Sequence, residues 1–246
     1  MPFFILSILI QVALVIHVVK TGRNTTWIWI VVMLPVAGSI AYFILEVLPE
    51  LTNSRAGRNA GRKVGAVINP NKGFNQAAHN FSVSGTVDNT KRLADECMAK
   101  GLYSDAKTLY EKCLVGIHAK DPSAMVGLAN AEFMLGHYAK TKTLLDDLIA
   151  SNPNYKNQDA HLLYARTLEA LDEVTGALHE YEVLHDYFSG PEASFYYALF
   201  LKKQNQKETA NEIFSQIINK AKMSGKHYSS LHKDILKRAK NELAAN

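Results

Sequence analysis

Cysteine is scarce: the chain of 246 residues has two, Cys97 and Cys113. They fall at apolar helix positions, with no second pair and no histidine in zinc spacing, which excludes a disulfide framework or a zinc finger. They read as reduced core thiols, the usual fate of free cysteine. No glycine-rich phosphate loop is present. The nine histidines (His17, His79, His118, His137, His161, His179, His185, His227 and His232) show no metal spacing. Even His179 and His185 are six apart, unlike a metal pair on one helix face. The expectation is therefore no catalytic residue, no metal, no cofactor and no enzyme. A basic excess is also missing where a nucleic-acid surface would need it. Residues 91 to 219 carry 13 Lys/Arg against 18 Asp/Glu, whereas residues 50 to 90 carry five against two and residues 220 to 240 seven against one. Positive charge thus flanks the folded part at both ends, and no nucleic-acid partner is expected.

What is present begins with two long apolar runs, both within the first 48 residues. Phe3 to Val19 is broken only by Ser7, Gln11 and His17, and Trp27 to Leu45 contains no charge. Each approaches the roughly 20 residues needed to cross a hydrocarbon core of about 30 Å. No positive region precedes Phe3 and a second apolar run follows, so a cleaved signal peptide is disfavoured. The polar stretch Lys20-Thr21-Gly22-Arg23-Asn24 joins the runs. Residues 1–49 are thus expected to form a hairpin of two transmembrane helices, about 3–19 and 27–48. Trp27 and Trp29 stand at one interface and Glu46 marks the other exit. Arg55, Arg58, Arg62 and Lys63 follow the second run, whereas only Lys20 and Arg23 lie between the runs. The positive-inside rule then puts both termini in the cytoplasm.

The second run reads Trp29, five residues, Pro35, two residues, Gly38, three residues, Tyr42. This resembles the N-terminal hairpin of bacterial cardiolipin synthases, which precedes their phospholipase D catalytic domains. The resemblance implies an inner-membrane anchor with a cytoplasmic payload. Without it, Pro35 and Gly38 read as a kink or a close helix approach. Catalysis is not carried over, because no histidine begins a His-x-Lys-x4-Asp spacing; His232-Lys233-Asp234 has the letters without it. Residues 50–89, interrupted by Gly57, Gly61, Gly65, Pro70, Gly73 and Gly85, read as a flexible basic linker. Its Arg55, Arg58, Arg62 and Lys63 would meet anionic lipid headgroups.

Beyond the linker an internal repeat appears. Gly101, Gly136, Asp172 and Asn205, all of types that tolerate a left-handed turn, are 35, 36 and 33 residues apart. Seven residues before each stands an alanine (Ala94, Ala129, Ala165, Ala198). Eight before each is a large apolar residue (Leu93, Leu128, Tyr164, Tyr197), as at nine after (Tyr110, Leu145, Tyr181, Phe214) and twelve after (Cys113, Leu148, Leu184, Ile217). Five after each is a small one (Ala106, Thr141, Ala177, Ala210). This is the pattern of antiparallel helix pairs crossing closely at alanine, each too small to bury its apolar face alone. It resembles the tetratricopeptide repeat, in four copies over roughly residues 87 to 221. The second copy fits best, with Gly136-His137-Tyr138 and Asn152-Pro153 at its turns. Pro122 comes four residues late in the first copy, which predicts a second helix longer by a turn. Residues 226 to 244 read as a lysine-rich capping helix with Tyr228, Leu231, Ile235 and Leu236 on one side. The fold class expected is all-α: the hairpin, then a helical-repeat solenoid over residues 90–246 of about four helix pairs and the cap.

The repeat resemblance implies a concave groove lined by the first helix of each pair. The positions that carry over are Lys91, Asp95 and Met98; Val126, Asn130 and Phe133; Leu162, Arg166 and Glu169; and Phe195, Leu199 and Lys202. Asn130 stands where the family often holds a ligand backbone, through one amide donor and one acceptor. A chaperone-type clamp for a C-terminal carboxylate would need asparagine one turn after Lys91. Asp95 is there instead, which argues against that mode, while Lys91, Arg166 and Lys202 leave acidic segments open. The function expected is a membrane-anchored adaptor or scaffold that binds a protein or peptide at the bacterial inner membrane. The alternative is a catalytic or noncatalytic subunit in membrane lipid or envelope metabolism.

Overall fold

The computed structural model describes residues 2–22, 24–47, 49–50 and 70–245. Among them every regular element is helical. Arg23, Arg55, Arg58, Arg62, Lys63 and the three glycines between 57 and 65 lie outside the described residues. The chain divides into two compact units, residues 1–72 and 73–246.

The first unit holds α1 (Pro2–Thr21), α2 (Thr26–Met33) and α3 (Pro35–Tyr42), the last running into a π-helical turn, Phe43–Val47. The second apolar run is therefore not the single helix expected over 27–48. Proline has no N–H and crowds the residue before it, and Leu34 accordingly leaves helical geometry at φ −121°, ψ 77°. Past the break α3 packs on α2. A Cβ on Gly38 would lie 2.3 Å from the Ile30 carbonyl oxygen, so only glycine permits the approach. The two ends of the run meet: Trp27 Nε1–H donates to Glu46 Oε1 at 3.2 Å. Trp27 thus faces inward rather than joining Trp29 at an interface. The enclosed groups are Val18, Val31 and Tyr42. His17 Nδ1 is 3.0 Å from the Tyr42 hydroxyl, and Gln11 Nε2 donates to the Val31 carbonyl at 3.3 Å. Leu9, Val19, Trp29, Met33, Val36 and Leu45 face outward, 61 to 72 % exposed. Among the described residues no helix is long and apolar enough to cross a membrane.

The second unit begins earlier than the linker reading allowed. Helix α4 (Lys72–Val83) sets Phe74, Ala77, Ala78 and Phe81 against Leu93, Ala94 and Cys97. Those four positions have i, i+3, i+4, i+7 spacing, the apolar stripe of an amphipathic helix. Then come the pairs α5 (Val87–Ala99) and α6 (Tyr103–Cys113), α7 (Pro122–Met134) and α8 (Tyr138–Ser151), α9 (Gln158–Ala170) and α10 (Val174–Tyr187), and α11 (Glu192–Lys203) and α12 (Lys207–Met223). Three of the first helices have side-chain N-caps: Thr86, Asp121 and Asn157 accept from Asn89, Ala124 and Ala160 N–H.

The turn within each pair is the same device four times. Gly101, Gly136, Asp172 and Asn205 have φ of 74°, 80°, 60° and 62°. The next residue's N–H reaches back to Cys97, Glu132, Leu168 or Leu201 O, each at 2.9 Å, the six-to-one bond of a Schellman ending. The column of four alanines preceding the turns is fully buried, as is the column of small residues following them. Helix α6, however, is 11 residues long, shorter than the 14 of α8 and α10, not longer. A 3-10 turn at Gly116–His118, with Gly116 at φ 57°, takes up the additional residues.

Two further features bind the stack. Glu132 on α7 is fully buried, with Oε1 3.1 Å from Lys107 Nζ, Oε2 2.6 Å from His137 Nδ1, and Lys140 Nζ in contact. Burial alone would raise its pKa, but hydrogen bonds from Lys140, His137 and Lys107 outweigh this and hold it at about 2. After α12 the expected cap is two helices, α13 (Gly225–Leu231) and α14 (Lys233–Ala244). Leu231 ends 70 % exposed because the chain turns at His232, whose Nδ1 lies 2.8 Å from Glu192 Oε1. Helix α14 packs on α12 and also touches α11, the place a first helix of another pair would take, with Ala239 fully buried like the repeat alanines.

Candidate peptide-binding face

First helices touch in succession, α5 to α7 to α9 to α11 to α14, so their outward side chains share one face. The sequence-derived positions fare differently along it. In the first pair, Lys91 Nζ donates to Ser123 Oγ at 2.8 Å, and Asp95 accepts from the Tyr110 hydroxyl at 2.5 Å. Burial, then the bond to Asp95, raises the Tyr110 pKa. Met98 packs into the apolar cluster of the first pair. In the second, Asn130 is exposed, while Val126 and Phe133 are half-buried.

Leu162 and Phe195 are corrections to the groove list. At 8 % and 1 % exposed they belong to the core of the third and fourth pairs. Phe195 is closed off because its ring packs on Phe214 and lies under the Arg238 guanidinium of α14. Glu169 accepts from the Tyr181 hydroxyl at 2.8 Å, Leu199 packs against the same core, and Lys202 Nζ donates to Glu242 at 2.9 Å.

Arg166 is the centre of the face. Its guanidinium lies 4.7 Å from the Phe133 ring centroid on α7 and 4.4 Å from that of Tyr196 on α11. Tyr196 in turn meets Phe195 edge-on at 5.8 Å, and Arg238 stands 4.6 Å over Phe195. Three aromatic rings and two guanidinium groups thus form one row across four helices, each cation held over the negative face of a ring. Sequence reasoning found Phe133, Arg166 and Phe195 but missed Tyr196 and Arg238. Arg238 could have been reached by continuing the alanine column to Ala239. Tyr196 stands next to the Tyr197 column and carries no separate signal.

A different face of α9 lines a cavity of about 710 Å³ with α8 and α10, bounded by Leu145, Leu148, Tyr155, His161, Tyr164 and Tyr187. There His161 Nδ1 is 2.5 Å from the Tyr187 hydroxyl, and Nε2 contacts Glu180. The Tyr164 pKa is pushed up to about 12 by burial, then by its bond to Asp146. Among the described residues no group of three His, Cys, Asp or Glu side chains could hold a metal ion.

These features define a helical-repeat unit. Residues 123–155 and 192–222 match the family model of the tetratricopeptide repeat, and residues 9–46 match the phospholipase D-nuclease N-terminal model. Among solved structures the chain is similar to TTC0263, a thermophilic TPR protein of Thermus thermophilus, at 15% identity and a TM-score of 0.59. That match covers 76% of this chain and 96% of that one. It is also similar to MamA, at 19% identity and a TM-score of 0.50, over 61% of this chain and 88% of that one. No curated protein matches significantly. Two stretches of the second unit thus match the tetratricopeptide repeat and one of the first unit the phospholipase D-nuclease N-terminal segment, and the likeness to solved structures is one of fold.

Proposed function

We propose that this protein is a noncatalytic, membrane-anchored adaptor that holds a protein or peptide partner on the concave, first-helix face of its repeats. The observation that carries the reading is Arg166 fixed between Phe133 and Tyr196 with the exposed Asn130 amide on the neighbouring helix. A guanidinium held between two rings is a positioned donor, and the exposed amide beside it offers one donor and one acceptor to a ligand backbone. Anchoring is supported by the match over residues 9–46 and by the apolar exterior of the first unit. The basic flank at Arg55, Arg58, Arg62 and Lys63 favours lipid headgroups and a cytoplasmic repeat unit at the bacterial inner membrane.

The test is co-purification from detergent-solubilised membranes with wild type and the Asn130→Ala, Arg166→Ala double variant, alongside thermal melts. Charged hydrogen bonds contribute about 1.5 to 3 kcal/mol when shielded, so partner affinity should fall at least about tenfold. Equal retention by a normally folded double variant would remove this face from the function. A phosphatase fused after Asn246 should be inactive, and an active one would reverse the orientation.

A further inference from the structure

The ion-pairing partners on the first-helix face are unevenly distributed. Its lysines are engaged: Lys91 by Ser123, Lys202 by Glu242, and Lys203 3.8 Å from Glu169. Its acids are engaged as well, Asp95 by Tyr110 and Glu169 by Tyr181. Arg166 and Arg238 differ: among the described residues, the Arg166 guanidinium lies over two aromatic rings and that of Arg238 over one, and neither forms a hydrogen bond or ion pair. A contact with a ring uses none of the five N–H donors of a guanidinium, so each fork keeps the donors that can take a carboxylate bidentately.

We propose that this face recognises a peptide segment carrying two acidic side chains, one on Arg166 and one on Arg238; this rests on the peptide-binding reading above and names the ligand chemistry. The spacing follows from the contacts joining the two groups. Distances of 4.4, 5.8 and 4.6 Å, through Tyr196 and Phe195, bound their separation at about 15 Å. An extended chain advances about 3.3 Å per residue with alternate side chains on one side. The two acids therefore stand two or four residues apart. The basic end of the chain, seven Lys/Arg against one acid over residues 220 to 240, adds a field of the right sign. Recognition is of side chains, so a free C-terminus is not required.

The experiment is fluorescence anisotropy on the full-length protein in detergent with labelled, C-terminally amidated nonapeptides. They carry Asp pairs at i, i+4, one Asp, or none, in a Ser/Ala/Leu background. The paired peptide should bind at least tenfold more tightly than the neutral one, and Arg166→Gln or Arg238→Gln should each remove about tenfold of that preference. Arg238→Lys, which keeps charge but not the planar fork, should recover only part. If both Gln variants keep the preference, while Asn130→Ala still weakens the neutral peptide, the acidic-pair proposal falls and the groove reading stands. If no peptide binds folded wild type, both fall. If single-stranded DNA binds more tightly than the paired peptide and is lost in the same variants, the forks read phosphate and the proposal is overturned.

Discussion

At the centre of residues 1–72, His17 and Tyr42 share a hydrogen bond and Trp27 reaches Glu46, while Leu9, Met33, Val36 and Leu45 face outward. At the centre of residues 73–246, alanines, leucines and aromatic rings are enclosed, while most charged side chains face outward. The same helix-on-helix packing thus serves two distributions of polarity. In the first unit polar groups turn inward, the arrangement that surroundings unable to hydrogen-bond would favour, and in the second they turn outward. Glu132 sharpens the contrast: among the described residues it is the one fully buried carboxylate of the repeats, and two lysines and the His137 ring surround it.

The largest expected effect breaks the contrast directly. Met33→Arg with Val36→Arg places two charges on the outward apolar surface of the first unit. In a membrane each would cost about 2.5 to 3.5 kcal/mol, so the chain should move from the membrane to the soluble fraction on sedimentation. Val183→Arg on the exposed side of α10 should change stability by less than about 0.5 kcal/mol. Unchanged sedimentation of the double variant would show that the apolar exterior does not face lipid.

Next in size is Glu132→Gln, which strands Lys107, Lys140 and His137 around a neutral amide. Removing one partner of a buried ion pair typically costs about 3 to 5 kcal/mol; both lysines reach solvent, so the lower end is expected. The Glu132 pKa lies below its ordinary 4.5, at about 2. Its stabilisation is therefore complete above about pH 4.5 and is lost as pH falls toward 2. The difference in melting temperature between wild type and variant should shrink over that window. A constant difference down to pH 2 would contradict the ion cluster.

The smallest effect concerns the turns. Gly136→Ala puts a Cβ on a residue at φ 80° and should destabilise by about 1 to 2 kcal/mol. Asn205→Gly relieves the same conformation and should stabilise by a few tenths. Chemical denaturation of both variants checks the opposite signs, and equal signs would contradict the shared turn geometry.

Those turns were legible in the sequence, because a left-handed residue, a small residue and an alanine recur at fixed offsets imposed by helix crossing. The fate of Pro35 was half-legible: its chemistry announces a break, but whether the chain bends or folds back depends on Gly38 meeting Ile30. Helix α4 was hidden by Gly73 and Gly85 at its edges, although Phe74, Ala77, Ala78 and Phe81 carry a helical period. At the candidate site, position along the repeat identified Arg166 but not its environment. Stacking by Tyr196, and the closing of Phe195 under Arg238, arise from residues on separate helices whose approach no local pattern encodes.

The central claim is that the first-helix face holds the partner of an anchored protein. It is tested most directly by placing a photo-crosslinking amino acid at Asn130, or at Val183 on a second helix, and irradiating intact cells. The account predicts one discrete adduct from Asn130, reduced when Arg166→Gln is added, and none from Val183. Adducts of equal yield from both positions, or from Val183 alone, would contradict it.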